Sequence, residues 1–201
     1  MQIQVACTDT GETDMSPTIF CHRNLGKAYW VVACLIAISA APAFAETASL
    51  IQPRTLIVDQ SLPKEQLSAQ VLAARRYDTF WNTGDEALAR AALDPNFIDE
   101  TLPPGRAQGV AGPIAASKAF RGAVPDIQCS VEQMIVAGDR VVAHLHFTGH
   151  FTGQFKGTQG HGQTVDFIAT DIYRVANGRI VENWHLEDNL TFLQQIGVVA
   201  K

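Results

Sequence analysis

The sequence is poor in the features that announce the commoner chemistries. It has four cysteines in 201 residues, and three of them, Cys7, Cys21 and Cys34, precede residue 45. With that segment removed Cys129 stands alone, so an intramolecular disulfide is excluded even in an oxidising compartment. Cys129 alternates with Ile127 and Val131, the setting of a buried structural thiol rather than a nucleophile. No Cys-x-x-Cys, glycine-rich phosphate loop or nucleophile elbow occurs, which removes the usual marks of thiol redox chemistry, nucleotide binding and covalent serine catalysis. Basic residues are outnumbered by acidic ones, 15 to 20, and form no cluster. Nucleic acid is therefore not an expected partner. Repeats and low-complexity segments are also absent.

What is present begins with an export signal. Residues 28–41 are almost unbroken apolar sequence, preceded by Arg23 and Lys27 and followed by Pro42-Ala43-Phe44-Ala45. That is the layout of a secretory signal peptide with a small-residue cleavage site, and the run is too short for a comfortable membrane span. Residues 1–45 are read as signal peptide, with cleavage leaving Glu46 first and a periplasmic or secreted product free of the membrane. The acidic residues Asp9, Glu12 and Asp14 do not fit a signal n-region, which points to Met15 as the true start. Cys34 as a lipid-modified cysteine is the lesser reading, because the apolar run continues past it.

Residues 46–60 show no sustained period and read as a linker, leaving 61–201 as one domain. Ser61 as N-cap and Pro63 in the first turn open a helix through Asn82, with Leu67, Val71, Ala74 and Phe80-Trp81 at helical spacing. Asp85 caps a second helix over 86–93. Phe97-Ile98-Asp99-Glu100 is a short extended piece, and a third helix starts at Gly112-Pro113. Four long alternating stretches follow, interrupted by GQFKGTQGHG (153–162), read as a mobile loop or a rim that closes over something. A last helix runs from Asp188 to Gly197. The layout is α+β: a curved antiparallel sheet wrapped around N-terminal helices to form a cone-shaped barrel.

The densest chemistry lies in Gln163 to Asp188. Two alternating segments flank Ala176-Asn177-Gly178, an Asn-Gly hairpin signal. Phe167, Ala169, Asp171, Tyr173 and Val175 share one face of the first strand; Val181, Asn183 and His185 share one face of the second, with Ile180, Glu182, Trp184 and Leu186 on the other. Asp171 and His185 then project to one side. A desolvated carboxylate near an imidazole can be poised for proton transfer near neutral pH; a buried structural pair is the alternative. Asp99, where the chain leaves the helices, is a third candidate at the cavity mouth. Trp81, Phe97, Tyr173, Asn183 and His150 are the expected ligand-binding residues. His144, His146 and His150 share a strand face, but His150 stands four residues, roughly 13 Å, beyond His146 along an extended strand and farther still from His144. One ion cannot take both, so no metal ligand is assigned, and solvent or interface histidines are the plainer reading.

YDTFWNTGDEALARAALDPNFIDE, then Gly149 to Gly153, then DIYRVANGRIVENWHLEDNLTFLQQIG together resemble the SnoaL-like polyketide cyclases of the nuclear transport factor 2-like superfamily, over residues 65–197. The most specific piece is the run Asp171-x-x-Arg174-x-x-x-Gly178-Arg179-Ile180-x-Glu182-x-Trp184-x-x-x-Asp188. The resemblance implies the cone-shaped fold, a homodimer through the outer sheet face, and ring closure by intramolecular aldol condensation without metal or cofactor. It also implies an Asp on the last strand as acid/base and a His on the strand before. Here the two types are exchanged: His185 falls where that Asp belongs and Asp171 where that His belongs, and Asp99 falls on a family Asn. The resulting expectation is cofactor-free acid/base chemistry of cyclase, isomerase or hydrolase type on a small hydrophobic carbonyl compound or ester. In it His185 is the base, Asp171 orients it and Asp99 assists. The alternatives are a non-catalytic module that binds a small ligand in the same cavity, and a metal-dependent variant built on His144 and His146.

Overall fold

The structure, a computed structural model, describes residues 50–200. The signal-peptide segment, Met15 and the start of the linker lie outside the described residues. The elements in chain order are β1 (Thr55–Val58), α1 (Lys64–Thr83), α2 (Glu86–Ala92), β2 (Leu93–Asp99), α3 (Ala111–Ala123), β3 (Gln128–Ala137), β4 (Arg140–Phe151), β5 (Gln154–Phe155), β6 (Thr158–Gln159), β7 (Gln163–Ala176), β8 (Arg179–Glu187) and α4 (Asn189–Gln195). This is the expected α+β arrangement of helices on a curved sheet.

Six strands form the main sheet in the order β1-β3-β4-β7-β8-β2. The four central strands are the antiparallel meander that the alternation predicts. Both edges, however, are parallel additions: β1 runs beside β3 and β2 beside β8. The sheet is mixed rather than antiparallel, and the linker expectation for 46–60 is corrected at its described end. Thr55–Val58 is an edge strand, and Leu50 is buried. Alternation could not reveal β1 because its side chains are mostly exposed, so it carries no inner face in the sequence.

Helix α1 starts later than the expected cap at Ser61. The side chain of Asp59 accepts from both the backbone and the hydroxyl of Ser61, which turns the chain, and Pro63 occupies the cap position. Gly84, in the left-handed region at φ 77°, ends it. Asp85 caps α2 by accepting from Ala87 N at 2.9 Å. On α1 the residues Ala73, Ala74, Tyr77 and Phe80 turn inward against the inner face of the sheet, where Val131, Val141, Leu145 and Tyr173 meet them.

The Asn177-Gly178 turn is as predicted. Both residues have positive φ, 52° and 73°, and close a two-residue hairpin between Ala176 and Arg179. One detail differs. A register shift between Arg174 and Val175 pairs Arg174 with Glu182 but Val175 with Ile180. The bulge at Val181 moves Ile180 to the inner face, where it is wholly buried. Beyond it Asn183 and His185 face inward as expected, and Arg174 grips Glu182 on the outer face.

The glycine-rich segment is a small hairpin, β5 with β6, folded back beside the third helix. Its glycines answer close backbone approach: a Cβ on Gly153 would stand 1.9 Å from the carbonyl oxygen of Gly122, and one on Gly160 would stand 2.4 Å from that of Phe151. Lys156 and Gly157, at φ 46° and 84°, form its turn. Phe155 and Lys156 thereby reach the cavity described next, which makes this hairpin a rim.

Candidate active site

Between α1, α3, α4 and the inner face of the sheet lies a cavity of about 480 Å³. Its axis follows β7. Tyr173 is beneath its floor, Asp171 and the cross-strand pair to His185 form the polar end, Ala169 opens space by its small size, and Phe167 starts an aromatic section. In that section Phe147 and Phe167 stack with centroids 5.2 Å apart, and Phe120 meets Phe167 edge-on at 5.8 Å. Phe192 touches Phe120 at 5.2 Å and Phe155 of the rim at 5.3 Å. Such walls suit an apolar, ring-containing body.

At the polar end the imidazole of His185 lies between two carboxylates. Its Nε2 is 3.0 Å from Asp99 Oδ1 and its Nδ1 2.8 Å from Glu187 Oε1. Both ring nitrogens donate only in the imidazolium form, so this arrangement fits a charged His185. Burial pulls its pKa down, but the Glu187 hydrogen bond and charge, with the charges of Asp171 and Asp99, outweigh it and the net direction is up. Glu187 moves down: burial opposes, and the hydrogen bond and charge of His185 prevail. Asp99 is held by its surroundings. The Gln108 side chain accepts from its backbone N–H at 2.7 Å and donates to its carbonyl at 3.0 Å, and Arg106 stands 3.7 Å from Oδ2. Thr101 Oγ1 accepts from His185 N at 2.8 Å.

Asp171 behaves differently. Burial raises it from 3.8 to about 7, while the Tyr173 hydrogen bond and the His185 charge hold it down and the Glu187 charge adds to the rise. The Tyr173 hydroxyl lies 2.9 Å from its Oδ2, and Asn183 hydrogen-bonds to it. The Oδ1 of Asn183 is buried and without a hydrogen-bond partner. Asp171 is thus a carboxyl whose two protonation states are both accessible at neutral pH, at the wall of an apolar cavity.

The structure brings together His185, Asp171, Asp99, Trp81 and Asn183 around the cavity. It corrects the internal arrangement: the groups bound to His185 are Asp99 and Glu187, whereas Asp171 is held by Tyr173. With both its nitrogens engaged, His185 is badly placed to be the base that Asp171 orients. Three ligand-binding expectations are also corrected. Phe97 is a buried core residue outside the cavity lining: it shares the buried face of β2 with Asp99, but only Asp99 reaches the cavity. Tyr173 is fully buried one step below the cavity, behind Asp171. His150 is on the outer parity of β4, exposed, with its Nδ1 2.7 Å from Asp126. His144 and His146 share that outer face, against Thr170 and Asp166. Among the described residues no cluster of three or more His, Cys, Asp or Glu side chains is arranged to hold a metal ion.

Glu187 and Asp78 escaped the sequence reading although a signal existed for each. Glu187 has the strand parity of Asn183 and His185. Asp78 continues the helical series Val71, Ala74, Asp78, Trp81 that marks the inward face of α1.

The SnoaL-like polyketide cyclase family profile matches residues 71–196. No curated protein matches the chain. Among solved structures, a candidate polyketide cyclase from Bacillus cereus ATCC 10987 is 41% identical, covering 76% of this chain and 96% of its own, with a TM-score of 0.70. A candidate SnoaL-like polyketide cyclase from Jannaschia sp. CCS1 is 23% identical over 70% of this chain and 99% of its own, at a TM-score of 0.60. IdmH, a candidate polyketide cyclase from Streptomyces antibioticus, is 24% identical over 64% and 98%, at 0.57. The last two share the fold. The profile match and the first relative carry more, supporting a function of the cyclase or isomerase type, and the chain belongs to the SnoaL-like polyketide cyclase family.

Proposed function

We propose that the protein catalyses a cofactor-free ring closure or isomerisation of a small hydrophobic carbonyl compound, with Asp171 as the general base and then the general acid. The observation that carries this reading is a carboxyl raised to about 7 at the wall of an aromatic cavity, opposite an imidazolium. A carbon acid beside a carbonyl gives its proton to Asp171, and negative charge develops on the carbonyl oxygen. The charge of His185, fixed by Asp99 and Glu187, favours that enolate. In ring closure the enolate carbon attacks a second carbonyl of the same molecule, forming one carbon–carbon bond. The new alkoxide takes the proton back from Asp171. In isomerisation the proton returns to another carbon. Either way the product has the mass of the substrate, and no electron is gained or lost. The unpartnered Asn183 Oδ1 supplies an acceptor for a hydroxyl or enol of the ligand.

The test is incubation with a panel of linear polycarbonyl compounds and enolisable ketones, read by chromatography and mass spectrometry. A product of unchanged mass and new retention supports the reading. Compounds that bind but are all recovered unchanged sink it and leave the small-ligand-binding module, which uses the same cavity.

We further propose export to the periplasm or beyond, supported by the signal-peptide pattern ending at Ala45, and a homodimer through the outer sheet face. For the latter the exposed Ile168, Ile172 and Leu186 are the support. N-terminal sequencing of protein from fractionated cells is expected to start at Glu46; a product retaining residues 28–41 contradicts cleavage. Sedimentation decides the dimer.

A further inference from the structure

Asp78 on α1 has no exposed surface, does not line the cavity, and is given no part in the chemistry above. One atom joins it to the site. The Tyr173 hydroxyl lies 2.8 Å from Asp78 Oδ1 and 2.9 Å from Asp171 Oδ2. A hydroxyl has one hydrogen and donates to only one of them. The other contact needs the tyrosine oxygen as acceptor, so one of the two carboxyl groups brings a proton of its own.

The surroundings decide which. Asp171 faces His185, Glu187 and Asn183 on β8, and the cavity. Asp78 faces Tyr173 and Asp171 on β7 and Cys129 on β3; burial pushes it well above the usual carboxyl value, and the Tyr173 hydrogen bond only partly opposes this. Its Oδ2 is buried with no hydrogen-bond partner. A bare carbonyl oxygen of a neutral acid costs less to bury than a bare oxygen of a carboxylate. The direction of the chain follows: Asp78 donates to the Tyr173 oxygen, and the Tyr173 hydroxyl donates to Asp171. The other titratable groups around Asp171 are Tyr77 on α1, Cys129 on β3 and Asp99 on β2, and burial raises Tyr77 and Cys129, which keeps both neutral.

We propose that Asp78 and Tyr173 are positioning residues for Asp171: a permanently neutral Asp78 fixes the direction of the Tyr173 hydroxyl, which pins one oxygen of Asp171 and turns the rest of the carboxylate to the cavity. The idea rests on Asp171 as the group that exchanges a proton with the ligand, but it is tested without turnover. In protein labelled with ¹³C at the aspartate carboxyls, NMR titration of the wild type is expected to show one aspartate with a midpoint near 7 and one that remains protonated well above it. Asp78→Asn keeps a donor toward Tyr173, so the midpoint of Asp171 stays where it was. Tyr173→Phe removes a hydrogen bond to the charged form and raises that midpoint by about 1–2 pH units. A midpoint lowered by Asp78→Asn would mean that Asp78 is charged in the wild type and would overturn the proposal. So would a midpoint unmoved by Tyr173→Phe. Should Tyr173→Phe fail to fold, the isosteric Asp78→Asn decides alone. Ring closure absent for every compound, with these titrations as expected, retires the proposed reaction and leaves the Asp78–Tyr173–Asp171 chain standing.

Discussion

Asp171→Asn is expected to lose about 10²–10⁴-fold in turnover of any compound the wild type converts, and at the same time to make the folded protein more stable at pH 8. The first effect follows because an amide cannot take the proton. The second follows from linkage. Below pH 3.8 the carboxyl is protonated in both folded and unfolded chains. Between 3.8 and about 7 the unfolded chain releases a proton that the folded protein keeps, so stability falls as pH rises through that window and levels off above it. The gap between the two values corresponds to about 4 kcal/mol at most. His185 acts in the same sense: its contribution is complete below 6.5, the unfolded value, and is lost as pH rises from there through its higher folded value. Urea unfolding of the wild type and the variant at pH 5 and pH 8 separates the two groups, because only the difference between the proteins belongs to Asp171 and its coupling. A variant less stable than the wild type at pH 8 would contradict the assignment. Function held at a cost in stability is the general expectation for such a site.

Phe80→Ala is expected to be the most damaging single truncation of the core, costing about 3–5 kcal/mol and lowering Tm by roughly 10 °C. Phe80 has no exposed surface, stacks on Tyr77 at 5.8 Å and meets Trp81 at 5.2 Å. It ties the inner face of α1 to the sheet, and the end of α1 carries Trp81 into the cavity wall. Both effects are therefore expected together: a lower Tm by circular dichroism and weaker ligand retention. A loss under about 1 kcal/mol would show that α1 closes over the gap.

The sequence made the central hairpin legible because two physical signals coincide there. Alternation over β7 and β8 sorts side chains by face, and Asn177-Gly178 fixes the register, so Asp171 opposite His185 could be named in advance. The bulge at Val181 carries no such signal, and it is what moves Ile180 inward. Strand β2 was the larger gap. Its parallel pairing with β8 sets Asp99 beside Asn183 and within reach of His185, and parallel neighbours are joined by crossovers that leave no local trace. For that reason alternation alone pairs the imidazole with Asp171, whereas its hydrogen-bond partners are Asp99 and Glu187. Tyr173 is an aromatic residue that the pattern correctly turns inward, but periodicity says which face a residue is on, not how far along the cone the cavity ends; Phe97, in a short extended piece, carries no alternation that assigns it a face. His150 illustrates the converse, since the parity of β4 already placed it outside.

The most direct test of the central claim, that Asp171 exchanges a proton with a bound carbon acid, is solvent deuterium exchange. An enolisable ketone that the protein binds is incubated in D₂O, and its α-protons are followed by NMR across pH 5 to 9, with the wild type and with Asp171→Asn. The account predicts exchange by the wild type that rises with a midpoint near 7 as Asp171 ionises, and none above background with the variant. Exchange that is equal in the two proteins, or a midpoint near the ordinary carboxyl value, would contradict it.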